Sequence, residues 1–188
     1  MTDAFVPLLV AVPLLGAVLA VAAGLVSERG PPAIAAVVLV AQTGLAGWIG
    51  SQALLNGDLS NGVGGFVAPY GIELVVDGLS AVVVTLVAVV SLAVLGYAVR
   101  DDPGGAAFYA AYLLLVTGLT GMSVTGDVFN LYVFLEISGL ATYALVASAG
   151  TGRSAVSALK YLLFGTVAAS LYLLGVGYAL VATGTLNM

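Results

Sequence analysis

Hydrophobic residues run along this chain in six blocks, each about long enough to cross a bilayer and each closed by a short polar break. Within a block the apolar residues are continuous. An outer-membrane barrel would show every second residue apolar, so that architecture is excluded. A continuous apolar run of about twenty residues reads as a helix, which satisfies its own backbone hydrogen bonds in hydrocarbon. The predicted spans are 4–26, 33–55, 79–99, 105–124, 128–148 and 154–182. The first resembles a signal peptide only in position: it carries Asp3 in place of a basic leader, its apolar run is too long, and it is expected to be retained. Pro7 falls in its opening turn. Pro13 lies deeper, removes one backbone hydrogen bond and predicts a kink.

The breaks define the connections. Ser27-Glu28-Arg29-Gly30-Pro31-Pro32 reads as a chain-breaking turn between the first two spans. Residues 56–78 form the longest polar stretch, with turn signals at Asn56-Gly57-Asp58 and Asn61-Gly62. Gly71–Asp77 reads as an extended segment, one arm of a hairpin, and Asp77 is placed to cap the third helix. Arg100-Asp101-Asp102-Pro103-Gly104 is a stop. Thr125-Gly126-Asp127 is a tight turn that makes spans four and five antiparallel neighbours, with Asp127 as the cap of the fifth. Small residues at Gly44, Gly47 and Ser51, and at Gly165, Ala169 and Gly175, predict close helix approach. The whole chain, 1–188, is expected to form a single all-α transmembrane domain.

Composition fits this picture. Of 188 residues, 62% are hydrophobic and 7% charged, against about 25% charged in a soluble domain. The three loop arginines, Arg29, Arg100 and Arg153, fall in alternate breaks and therefore on one side, while 56–78 and 125–127 contain no basic residue. The arginine side is expected to be cytoplasmic, which places both termini outside. A net charge of −5 argues against nucleic acid. There is no cysteine and no histidine, so the commonest metal and haem ligands are missing and no cofactor or metal is expected. Gly62-Val63-Gly64-Gly65 has no lysine and follows no predicted strand, so it reads as a loop rather than a phosphate cradle.

Two charges fall inside the spans. Glu136 lies about 13 Å from the outer end of the fifth, near the midplane. A carboxylate there costs about 2.5–3.5 kcal/mol on insertion scales. Tyr132, Val133, Gly139, Leu140 and Tyr143 share its helical face, with Ser138 and Thr142 on an adjacent strip. Intramembrane acids usually mark ion or proton paths, and the alternative is a structural acid that ties helices together. Lys160 lies about 9 Å into the sixth span from the arginine side, on a face with Ser157 and Phe164. It can act as a base coupled to Glu136 or snorkel to the headgroups. Across a core of about 30 Å the two are expected to be offset by about 7 Å along the membrane normal.

The run Thr125-Gly126-Asp127-Val128-Phe129-Asn130-Leu131-Tyr132-Val133-Phe134-Leu135-Glu136-Ile137 resembles the signature of antiporter-like proton-conducting membrane subunits. Three further stretches resemble the same family in order and spacing. They are Tyr70-Gly71-Ile72 followed by Val76–Ala81, Ala158–Gly165, and Thr183–Met188. The nearest resemblance is to the D-type membrane protein of Mrp multisubunit cation/proton antiporters, whose relatives include the large membrane subunits of respiratory complex I and of membrane-bound hydrogenases. The resemblance implies a fold of about fourteen helices, of which this chain matches the first six. It further implies Glu136 as the fifth-helix glutamate and Lys160 as the sixth-helix lysine, both in proton transfer. Implied partners are other membrane subunits of a hetero-oligomer in the plasma membrane, with protons and Na+ as the ions. The alternatives are a proton-pumping subunit of a complex I-like or hydrogenase-like complex, or a structural subunit without conduction. The family's lysines on the seventh and later helices have no counterpart before Met188, so the chain is read as a fragment, one half of a split protein, or a short homologue.

Overall fold

The computed structural model describes residues 2–65, 71–101 and 105–188. The expectations at Tyr70 and at the Asp102-Pro103-Gly104 stop lie outside these residues. A short 3-10 turn at Thr2–Phe5 leads into α1 (Leu8–Gly24) and α2 (Gly30–Asn56). A two-stranded antiparallel hairpin follows, β1 (Leu59–Gly62) with β2 (Glu73–Val76), in a register that pairs Leu59 with Val76 and Gly62 with Glu73. Then come α3 (Gly78–Asp101), α4 (Gly105–Val124), α5 (Val128–Ala147) and α6 (Gly152–Thr183). Among the described residues six helices are long and apolar enough to cross a membrane, and the protein is an all-α polytopic membrane protein.

The sequence signals for helix starts act through identifiable contacts. Asp77 accepts the Ser80 backbone N–H at 2.7 Å and opens α3. Asp127 accepts the Asn130 N–H at 2.6 Å and opens α5. Thr151 and Ser154 exchange side-chain and backbone bonds in a capping box at the start of α6. Two turn readings are corrected. Gly30, Pro31 and Pro32 are the first turn of α2, where proline lacks only an N–H that would have no helical partner. Asn61-Gly62 closes β1, because the chain turns later; a strand therefore does precede Val63-Gly64-Gly65, which forms a 3-10 turn and carries no lysine.

Helices α1, α2 and α4 pack on one another, α3 closes against α2 and α4, α5 lies along α4, and α6 lies along α5. The interior holds two apolar clusters. One, nearer the hairpin, joins Leu9, Ile49, Leu74, Val76, Val84 and Val124. The other, nearer the arginines, joins Ala17, Leu39, Leu95, Tyr109, Leu113 and Val116. Between them lies a polar layer. Pro13 supplies no N–H to the Leu9 carbonyl, and the Gln42 side chain donates to that carbonyl instead, at 2.8 Å. Tyr112 donates to the Ser91 carbonyl at 2.8 Å.

Of the glycines expected to allow close approach, Gly165 meets a neighbouring helix, at Tyr143 of α5, and Gly44, Gly47 and Gly175 do not. Gly44 and Gly47 face open space. Two glycines of α2 meet neighbours: a Cβ at Gly30 would stand 2.8 Å from the Ala23 Cβ of α1, and one at Gly50 would stand 3.1 Å from Thr85 Oγ1 of α3. Helix α4 also meets α5 closely. A Cβ at Gly118 would come within 2.7 Å of Ser138, and one at Gly121 would overlap the Phe134 ring.

At the hairpin end, three separate segments join. Gly126 N–H donates to the Glu73 carbonyl at 2.8 Å, and Val128 and Met188 N–H donate to Leu186 and Gly126 carbonyls at 2.9 and 2.8 Å. The Glu73 carboxylate accepts Ser60 Oγ on one oxygen and Asn187 Nδ2, at 3.3 Å, on the other. Glu73 is the pin of this junction.

Candidate functional site

The buried residues of α5, Asn130, Phe134, Ser138 and Ala141, face α4. Glu136 stands two residues from both Phe134 and Ser138, about 200° around the helix from each, and so points away from α4. It is half-buried. Its helical face meets α6 both above and below it. Tyr132, one turn toward the hairpin, stacks on Tyr172 with ring centroids 6.2 Å apart at 11°, and the Tyr172 hydroxyl donates to the Val128 carbonyl at 3.2 Å. Tyr143, two turns the other way, packs edge-on against Tyr161 at 4.9 Å and 70°. Its hydroxyl lies where a Cβ on Gly165 would be, and 3.2 Å from where a Cβ on Gly139 would be. Gly165 thus makes the recess that admits the tyrosine. Between the two aromatic contacts, Glu136 is level with the Ala168-Ala169-Ser170 run of α6, whose residues are small.

The face shared with Tyr132, Gly139 and Tyr143 is the one the sequence predicted. Ser138 behaves differently from its expected role beside the acid: it is buried against Gly118, and its hydroxyl donates to the Leu135 carbonyl at 2.9 Å. Thr142 likewise donates back, to the Ser138 carbonyl at 2.7 Å.

Lys160 is not brought to Glu136, and the two form no ion pair. The buried stripe of α6 runs through Ala158, Ala169 and Val176. Lys160 is about 200° around the helix from Ala158 and is exposed, as are Ser157 and Phe164 on the same flank. Tyr161 sits on Tyr143, so Lys160 is level with about Ala144, roughly 12 Å along α5 from Glu136. The expected offset of about 7 Å is smaller, because it counts depth from span ends, whereas the Tyr143–Tyr161 contact sets the register of α6 on α5. Among the described residues no group of three or more acidic residues could hold a metal ion.

The arrangement is therefore a lone carboxyl on a seam between two helices, flanked by two tyrosine pairs, with an amine on the far flank of the second helix. A carboxyl without a fixed cationic partner can gain and lose a proton without breaking an ion pair.

Comparison with known proteins places this geometry. Residues 125–188 match the family described as NADH:quinone oxidoreductase/Mrp antiporter, TM. The N-type membrane protein of the Desulforudis audaxviator NADH-quinone oxidoreductase is 54% identical over 131 residues, covering 67% of this chain and 26% of that protein. The D-type membrane protein of the Bacillus subtilis Na(+)/H(+) antiporter is 37% identical over 129 residues, again 67% of this chain and 26% of that protein. Among solved structures, a chain of the membrane-bound sulfane sulfur reductase, an archaeal respiratory membrane complex, superposes with a TM-score of 0.90 at 34% identity, covering 97% of this chain and 38% of that one. A chain of the Mrp complex from Dietzia sp. gives 0.87 at 27% identity, over 98% and 35%. The chain spans about a quarter of the length of these curated relatives. In sequence and in fold it belongs to the antiporter-like family of membrane subunits shared by Mrp antiporters and NADH:quinone oxidoreductases.

Proposed function

We propose that the chain is part of a proton-translocating subunit of a multisubunit cation/proton antiporter in the plasma membrane, with Na+ as the exchanged cation. Glu136 is its intramembrane protonatable group and Lys160 the coupled base. The observation that carries the reading is the half-buried, unpaired carboxyl at mid-helix on the α5–α6 seam. Protonation removes a charge from hydrocarbon, and ionisation draws water or a cation toward it, so the carboxyl can exchange a proton during a transport cycle. Lys160 acts on it by charge across the seam rather than by contact, and the low dielectric of the spans lengthens the reach of such coupling. Its exposed flank, and the exposed length of α6, fit against other membrane subunits of the assembly.

A second reading is a proton-pumping membrane subunit of a redox complex, where electron transfer elsewhere drives the cycle. The 54% identity to a membrane protein of a NADH-quinone oxidoreductase favours it. Both readings use the same carboxyl.

The test is transport by the complete native assembly in sealed vesicles. Glu136→Gln and Glu136→Ala are expected to reduce proton movement to background while the subunit still assembles. Wild-type movement in an intact assembly would remove Glu136 from the path and leave a structural role. Lys160→Leu is expected to shift the pH profile, and an unchanged profile would leave Lys160 as an interfacial side chain. Driving the vesicles with a sodium gradient or with quinone reduction separates the two readings.

A further inference from the structure

Among the described residues, two buried side-chain atoms in the polar layer between the two apolar clusters have no hydrogen-bond partner, Gln42 Oε1 on α2 and Thr120 Oγ1 on α4. Both residues are 0% exposed. They belong to one level of the membrane. Along α2, Gln42 falls between Leu39 of one cluster and Ala46 of the other; along α4, Thr120 falls between Val116 and Val124 of the same two clusters. From the arginine-bearing ends of their helices, Gln42 stands about 18 Å up α2 and Thr120 about 22 Å up α4.

Their orientations are set by other contacts. The Gln42 amide nitrogen is committed to the Leu9 carbonyl that Pro13 leaves free, so its oxygen is turned to the other side of the amide. Thr120 departs from the habit of the other helix threonines. Thr43, Thr85, Thr117, Thr142 and Thr166 each return their hydroxyl to the carbonyl four residues earlier. Thr120 makes no such bond to Val116. A hydroxyl that gives up its own helix carbonyl, and an amide oxygen without a donor, each carry a desolvation penalty in the bundle interior. Buried waters occupy sites of this kind, where otherwise unsatisfied polar groups converge.

We propose that this layer binds one internal water, which donates to Gln42 Oε1 and accepts from the Thr120 hydroxyl. The bonded chain then runs from the Leu9 carbonyl through Gln42 and the water to Thr120, and ties the proline-bearing helix α1 to α2 and α4. The site lies apart from Glu136, on the opposite side of α4 from α5, and does not depend on the transport reading. It assigns Gln42 a positioning role: its nitrogen holds the α1 break and its oxygen holds the water.

The test is a structure of the native assembly in lipid at a resolution that resolves ordered water. Density at about 2.7–3.2 Å from both Gln42 Oε1 and Thr120 Oγ1 is expected. A direct Gln42–Thr120 hydrogen bond, a dry site, or a peak ringed by four or more oxygens at cation distances would each overturn the proposal. Thr120→Val, nearly isosteric, and Gln42→Met are each expected to remove the peak. In a double-mutant cycle by thermal unfolding, the two losses in Tm should sum to more than the loss in the double variant. Additive losses would overturn the shared water even where density is present. Should either variant fail to fold, the wild-type density alone decides.

Discussion

Helices α4 and α6 are both apolar, yet 56% of the most hydrophobic stretch of α4 is buried inside the protein and 11% of that of α6. The difference comes from position and side-chain size. Helix α4 has neighbours on all sides, with Gly118 and Gly121 admitting α5 and Leu113, Val116, Thr117 and Thr120 facing inward. Helix α6 has a single buried stripe and shows lipid-sized side chains everywhere else, Phe164 and Val181 among the most exposed. The bundle α1–α4 carries its own interior, two apolar clusters joined by a polar layer. The α5–α6 pair is an edge, and the intramembrane acid sits on that edge. The densest packing and the mid-helix acid Glu136 thus lie in different halves of the molecule.

The contrast can be broken most directly at the α4–α5 seam. Gly121→Leu drives a side chain into the Phe134 ring and is expected to destabilise the subunit by about 3 kcal/mol, measured by thermal or detergent unfolding. Gly44→Leu, in open space on α2, should change stability by less than about 0.5 kcal/mol. Equal losses at the two glycines would erase the distinction between seam and surface. A smaller effect is expected on the edge. Gly165→Val displaces the Tyr143 hydroxyl, which can swing outward, so a loss of about 1–2 kcal/mol is expected. It should be accompanied by a shifted pH profile of proton movement, since Tyr143 shares the face of Glu136. A stability loss without that shift would separate the tyrosine from the site.

The smallest effect lies outside the membrane. The Ser80 backbone N–H, helped by the Ser80 side chain, holds the Asp77 carboxyl below its usual range. Its folded-state pKa is depressed, so the contribution is present above the unfolded value of about 3.9 and fades as pH falls through the folded one. Asp77→Ala should cost about 1 kcal/mol near neutral pH and progressively less below about pH 4, read as a narrowing gap in Tm between variant and wild type.

The sequence made the spans legible because a bilayer demands a fixed length of apolar chain, and the caps legible because Asp77 and Asp127 act on residues three positions away. It placed Glu136 on the right helical face for the same reason: helical period is local. What it missed depends on partners far along the chain. Gly44 and Gly47 look like packing glycines and are not, since nothing local says which side of a helix a neighbour takes. The work of Gln42 depends on Pro13 in another helix. Glu73 meets Asn187 across 114 positions, and only the closed topology brings them together. Lys160 reads as too near Glu136 because depth counted from span ends says nothing of the register between α5 and α6, which the Tyr143–Tyr161 contact sets.

That Glu73 junction has a mechanical consequence. It fastens the start of α5 and the segment after α6 to one hairpin, through main-chain bonds at Gly126, Val128 and Met188 as well as the carboxylate. The α5–α6 pair is thereby closed at both ends, by this junction at the hairpin side and by the short turn between Ala147 and Gly152 at the arginine side. The middle of the seam, where Glu136 lies, is then the part of the pair farthest from either fastening.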